Sequence, residues 1–251
     1  LGRIDVNLKN VYNMKTMTKS MVLVWILATS VSCIREVGIG TVITETREVA
    51  NFTKLELSNS ADVEIVSGDT LLVEVSDYEN LLDNIVVETR GSTLVIKNKP
   101  LRVALRNSCA NIKITMPTSI SSVQVSGSGN VTVHDCVSKD LELNISGSGN
   151  ISAESSEQLE TVEAIISGSG NIELQGTGTS VDAVVSGSGN ITCKDFVAQR
   201  TDCTISGSGD VKTHTVERLD VTISGSGNVT YYGKPAVNTR ISGSGRVMHK
   251  E

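Results

Sequence analysis

The chain has 251 residues and a mass of 26.6 kDa, room for one domain with a sizeable core. Apolar residues make up 39% of it but aromatics only 3%, Trp25 with four Tyr and two Phe, so a core has to be built from Val, Ile, Leu and Ala. A formal charge of −6 argues against a nucleic-acid surface, which needs clustered Lys and Arg, and 22 Gly beside only 3 Pro argue against a Pro/Gly linker protein.

Residues 1–13 precede Met14, the expected initiator, and are set aside from fold reasoning. Over residues 14–32, Lys15 and Lys19 come before an apolar stretch from Met21 to Ala28 and then small residues, the order of a secretory signal. The stretch is too short for a permanent membrane span, which takes about 20 residues. Because the small residues end at Cys33, the segment resembles a bacterial lipoprotein signal, in which that cysteine becomes the lipidated first residue. Ser32 fits the pattern; Ser30 stands where an aliphatic residue is preferred. Removal of 1–32 leaves 18 basic and 27 acidic side chains, a net charge of −9. Membrane attachment is therefore expected through acyl chains on Cys33 and not through a basic patch.

After a tether over 33–40, residues 41–117 carry irregular strand-like runs: Leu71–Ser76, Ile85–Thr89, Thr93–Lys97 and Ile112–Met116. Within the same part, Leu55, Leu57, Val63 and Ile65 flank Ser58-Asn59-Ser60-Ala61, a degraded copy of the unit that fills the rest of the chain. Residues 41–117 are read as a β-rich N-terminal part, continuous with that array and capping it.

From 118 to 251 the tetrapeptide Ser-Gly-Ser-Gly starts at Ser126, Ser146, Ser167, Ser186, Ser206, Ser224 and Ser242, at spacings of 18 to 21. Such a period marks a solenoid, whose coils bury their apolar side only by stacking. One residue before the first Ser stand Val125, Ile145, Ile166, Val185, Ile205, Ile223 and Ile241; five after it stand Val131, Ile151, Ile172, Ile191, Val211, Val229 and Val247. Two wholly β-branched columns, with mostly small or apolar residues at −3 and +7, predict two short strands per coil, each with one face inward. Like residues at like positions predict in-register parallel stacking, an all-β parallel β-helix. Seven coils give a rod about 30 Å long at the usual strand spacing.

The glycines of this motif are Gly127 and Gly129, Gly147 and Gly149, Gly168 and Gly170, Gly187 and Gly189, Gly207 and Gly209, Gly225 and Gly227, and Gly243 and Gly245. They lack the Lys of a phosphate loop and the third Gly of a dinucleotide fingerprint. The position that carries Asp in calcium-binding β-rolls holds Asn130, Asn150, Asn171, Asn190, Asp210, Asn228 and Arg246, a poor calcium ladder. The motif is read as architecture, with Gly permitting the turn and stacked Ser and Asn side chains hydrogen-bonding along the rod.

No catalytic, metal or cofactor site emerges. Cys193 and Cys203 replace Ala or Val in inward columns and are expected to be buried thiols, and His134, His214 and His249 lack zinc spacing. The outward column six after the first Ser, Thr132 to Met248, contains no paired carboxylate. Arg246 with His249, Lys250 and Glu251 is read as charge that blunts the last strand edge, so a monomer or weak dimer is expected.

The lipoprotein-like leader, Arg47-Glu-Val-Ala-Asn-Phe-Thr-Lys-Leu-Glu-Leu, Glu79-Asn-Leu-Leu-Asp, Thr93-Leu-Val-Ile-Lys, Ile112-Lys-Ile-Thr-Met-Pro117 and the Ser-Gly-Ser-Gly-Asn repeats together resemble the head GIN domain family of bacterial adhesin-like envelope proteins, over about residues 36–250. The resemblance implies a parallel β-helix in the cell envelope and carries no catalytic residues. Asn59 and Ala61 depart from it, since the family usually has Gly there. The function expected is a non-catalytic envelope lipoprotein, outer-membrane or secreted, whose β-helix binds a protein or glycan. The alternative is a carbohydrate-active enzyme, a polysaccharide lyase or glycosidase.

Overall fold

A computed structural model describes residues 34–99 and 103–251; Cys33 and the leader before it lie outside the described residues. The period-2 alternation of the repeats becomes a parallel β-solenoid of about six turns. The long strands are β10 (Ile120–Val125), β11 (Asn130–His134), β12 (Val137–Ile145), β13 (Asn150–Ile166), β14 (Asn171–Val185), β15 (Asn190–Ile205) and β16 (Val211–Ile223), followed by β17 (Val229–Tyr232), β18 (Ala236–Ile241) and β19 (Val247–His249). Each coil turns sharply at Ser-Gly-Ser-Gly and stacks in parallel on the one before. Ile145 pairs with Ile166, Ile166 with Val185, and Val185 with Ile205.

The four predicted inward columns form the core through the sixth copy, where Tyr231 is only partly buried against it. Val125, Ile145, Ile166, Val185, Ile205 and Ile223 are each 0% exposed. A further inward column, five before the first Ser, was not anticipated: Leu141, Val162, Val181, Thr201 and Leu219 are also buried. On the far side of the coil, Leu159, Gly178, Ala198 and Thr215 stack in register. There the one large ring of the repeat core, Phe196, lies so close over Gly178 that a Cβ on that glycine would come within 2.6 Å of the ring. Three polar groups enter this core together. Thr201, Thr213 and Thr215 are buried, and their hydroxyls satisfy one another, with Thr201 and Thr215 2.7 Å apart.

The seventh copy departs from the pattern. Ile241 and Val237 are 45% and 39% exposed, because no described coil stacks beyond β18 and β19 to cover them. The inward expectation for Ile241, Thr239 and His249 therefore fails at this last coil, where position in the repeat is unchanged but the covering neighbour is missing among the described residues.

At the other end, β3 (Lys54–Leu57) and β4 (Asp62–Ser67) stack under β10 and β11, so the degraded copy is a true coil. Beneath it lie β7 (Thr93–Asn98) and β9 (Asn111–Met116). Here the pairing changes sign: β6 (Ile85–Arg90) pairs antiparallel with β7, while β5 (Leu72–Tyr78) pairs antiparallel with β9 and with β2 (Val42–Thr46). A helical turn, Glu79–Leu82, joins β5 to β6 and buries Leu81 and Leu82. Between β7 and β9 the chain leaves the rod for β8 (Val103–Arg106), which pairs with β1 (Ile34–Val37). Asp77 fastens the return. Fully buried, it accepts hydrogen bonds from the Tyr78 and Cys109 backbone N–H groups and from the Ser108 hydroxyl at 2.6 Å.

Candidate binding surface

The Ser-Gly-Ser-Gly corner is built by backbone on backbone. The N–H of the second Ser donates to the carbonyl of the first Gly one coil below, as from Ser169 to Gly147 and from Ser188 to Gly168, each at 3.0 Å. These bonds set each glycine Cα almost on top of a carbonyl oxygen. A Cβ on Gly147, Gly168, Gly187, Gly207, Gly225 or Gly243 would come within about 2 Å of the oxygen beneath it. Gly129, Gly149, Gly170, Gly189, Gly209, Gly227 and Gly245 are as tightly placed. None of them has positive φ. These glycines therefore permit the turn through close stacking and not through a left-handed backbone.

The same geometry accounts for Asn59 and Ala61. Their side chains face the coil below, where β7 leads off toward β8 and supplies no corner. Asn59 uses that space, donating its side-chain amide to Asn98 Oδ1 at 3.2 Å while its own Oδ1 accepts from the Ala61 N–H.

After each corner runs an asparagine ladder. Asn130 donates to Asp62, Asn150 to Asn130, Asn171 to Asn150 and Asn190 to Asn171, at 2.7–2.9 Å. Asp210 continues it as acceptor: its backbone N–H donates to Asn190, and its carboxylate receives Asn228. The serines contribute through their backbone N–H groups, and their side chains point out from the corner as an exposed ridge. The hydroxyl ladder expected beside the amides is thus absent among the described residues.

The strand face before the corner carries a feature that sequence reading missed. Four residues before the first Ser, Glu142, Glu163, Asp182, Asp202 and Asp220 point outward and pair in register from coil to coil. Its signal is in the sequence, as the outward neighbour of the −3 and −5 inward columns, on the opposite side of the corner from the outward column of Thr132 to Met248 that has no paired carboxylate. The stripe is not uniform. Burial first, and then the Asp202 charge, push the Asp182 carboxyl above its ordinary range. At the far end Arg218 grips Asp220 through two guanidinium nitrogens and holds its carboxyl low, helped by the Asn238 amide. At the other end the stripe runs into a shallow groove of about 530 Å³ along the rod, lined by Lys54, Ser122, Glu142, Glu163 and Asp182.

The remaining candidates fall outside this groove. Cys136, Cys193 and Cys203 are buried free thiols and Cys109 an exposed one; burial pushes Cys193 up to about 12 and Cys136 to about 11, so neither is a nucleophile. His134 lies between carboxylates of adjacent coils, its Nδ1 2.5 Å from Glu154 and its Nε2 3.7 Å from Glu64. His214 and His249 stand at the open end of the rod. Among the described residues no cluster of three or more His, Cys, Asp or Glu could hold a metal, and no helix is long and apolar enough to cross a membrane.

Residues 51–235 match the family described as "Putative auto-transporter adhesin, head GIN domain". Three solved structures share the architecture, and in each case the match covers 86% of this chain and 100% of the other. They are a "putative adhesin" from Bacteroides fragilis (TM-score 0.79, 21% identity), a "putative lipid binding protein" from Parabacteroides distasonis (0.70, 26%) and a "putative adhesin" from the same organism (0.68, 24%). No curated protein matches the sequence.

Proposed function

The chain belongs to the head GIN domain family, and from that premise we propose that it is a non-catalytic adhesive module of the bacterial cell envelope. In this reading a lipid on Cys33 tethers the rod, and its lateral faces bind a surface ligand, protein or glycan. One observation carries it: nearly all of the described chain is spent on an in-register rod that holds outward side chains at fixed spacing along a long face. Such a surface is pre-organised, so a ligand that spans several coils meets side chains already in place. The acidic stripe turns polyanions away from that face, which argues against a nucleic-acid partner.

The test uses residues 34–251 on fluorescent beads applied to epithelial cells and to bacterial envelopes. Saturable attachment, blocked by the soluble rod, is expected; attachment no greater than that of blank beads would sink the reading. Metabolic labelling with an alkyne fatty acid, lost in Cys33→Ala, tests the anchor separately.

A second reading has Asp182 in its favour. A carboxyl with raised proton affinity in a groove beside other carboxylates is what a glycosidase-type acid requires. Turnover on a glycan panel that disappears in Asp182→Asn would establish it, and absence of turnover on that panel removes it.

A further inference from the structure

At the open end of the rod a second cavity, of about 520 Å³, has a composition unlike the rest of the surface. Three of the nine lysines that follow residue 33 line it, Lys194, Lys234 and Lys250, on a chain that is otherwise acidic. Rings gather there too. Two of the four tyrosines and two of the three histidines lie in or beside it, although aromatics make up only 3% of the sequence.

Their placement follows from the repeat. His214 on β16 and Tyr232 on β17 are register partners at the same outward position of successive coils, so their rings meet, with centroids 6.4 Å apart and planes tilted by 48°. One residue earlier, Tyr231 packs against the core and stacks on His249 of β19 at 5.0 Å. The chain then bends at Gly233, whose φ of +92° suits glycine and where a Cβ would come within 2.2 Å of the Thr215 carbonyl oxygen. The Gly233 carbonyl accepts from His249 Nε2 at 2.9 Å, which fixes the ring on the cavity wall. Asp195 holds Lys194 at 3.4 Å; Glu251 also lines the cavity, but Lys234 and Lys250 form no ion pair with it or with any other carboxylate among the described residues.

We propose that this cavity binds an acidic saccharide, a pyranose segment bearing carboxylates. The half-exposed Tyr232 ring, packed on His214, offers an electron-rich face to the C–H face of a sugar, and the ammonium groups of Lys234 and Lys250 beside it suit a carboxylate. The volume lies within the range of ligand pockets and accommodates about two or three sugar rings. A nucleobase fits less well, because the rings already pack on each other at a tilt and leave no parallel slot. A dense polyphosphate would meet the field of an acidic chain, whereas the sparse charge of a uronic acid would not be turned away.

The inference rests on the adhesive reading above and names its ligand class, so the experiment separates the two. Trigalacturonate and neutral galactotriose are titrated into residues 34–251, into Tyr232→Ala and into Lys234→Gln, with melting curves to confirm that the variants fold. Trigalacturonate is expected to bind the parent at least about tenfold more tightly than the neutral trisaccharide, and each substitution to cost about tenfold. No trigalacturonate binding, or binding unchanged in both variants, overturns the site. Bead attachment decides the rest. If parent beads adhere and neither the substitutions nor trigalacturonate reduces attachment, the site is wrong and the adhesive reading stands; if parent beads do not adhere, that reading falls.

Discussion

Gly187→Ala in the middle of the rod isolates the role of the corner glycines. The new Cβ would stand 1.9 Å from the Gly168 carbonyl oxygen and 2.7 Å from that of Ser167, with φ in a region open to alanine. To reach an ordinary contact the two coils must part by about 1 Å. The Ser188 N–H bond to Gly168 (3.0 Å) and the Ser186 N–H bond to Ile166 (2.8 Å) span that gap, so both are stretched or lost. At about 1–2 kcal/mol for each bond at a half-exposed corner, the substitution is expected to cost ~2–4 kcal/mol. For a domain of this size that lowers Tm by roughly 5–15 °C. Gly91→Ala is the control. Gly91 has a φ of +61° and open space around its Cα, so only the left-handed conformation opposes a side chain, at about 1 kcal/mol. Thermal unfolding followed by circular dichroism ranks the two. A Gly187→Ala protein that melts with its parent, or a larger loss in Gly91→Ala, would refute the stacking argument.

Asn171→Ala removes one rung that donates to Asn150 and accepts from the Asn190 side chain and backbone N–H, and should cost about 1 kcal/mol, or some 2–4 °C; an unchanged Tm would make the ladder decorative. Cys193→Ala should be mild, with Tm close to the parent's, because alanine already fills the same buried column two coils earlier, at Ala153. A native thiol titration of residues 34–251 should label Cys109 alone and slowly, since burial and Asp77 raise its proton affinity; two reactive thiols, or a mass change on reduction, would show the cysteines misread. The raised Asp182 carboxyl means that the fold binds its proton more tightly than the unfolded chain does. Its contribution therefore falls as pH rises from below the ordinary carboxylate range through the raised value, and at neutral pH the penalty is fully present. Asp182→Asn should raise Tm at neutral pH and leave it nearly unchanged in strong acid; equal effects at both would rule this out.

The rod was legible because one side chain in two points inward and the Ser-Gly-Ser-Gly marker keeps the phase. Val125 to Ile223 and Val131 to Val229 could be aligned by counting from it. Farther from the marker the counting fails, since coils of 18 to 21 residues absorb their differences at the bends, where register shifts fall between Glu154 and Gln158 and between Cys193 and Val197. Phe196 and the threonine cluster sit in that zone. The acidic stripe lay within reach of the same counting, one step from an inward column. The antiparallel strands β5 and β6 were not legible: residues 71–98 alternate like any strands, and pairing direction depends on what the end of the rod needs covered. Asp77 was not legible either, because apart from the neighbouring Tyr78 N–H its partners come from Ser108 and Cys109, some thirty residues on, as the chain returns from β8.

The proposed function has the rod hold cells to a surface. It is tested most directly by counting cells that adhere to epithelial monolayers for the producing strain, for a strain lacking this chain, and for the parent in the presence of soluble residues 34–251. Fewer adherent cells are expected on deletion, together with inhibition of the parent by the soluble rod. Equal adherence in all three would contradict it.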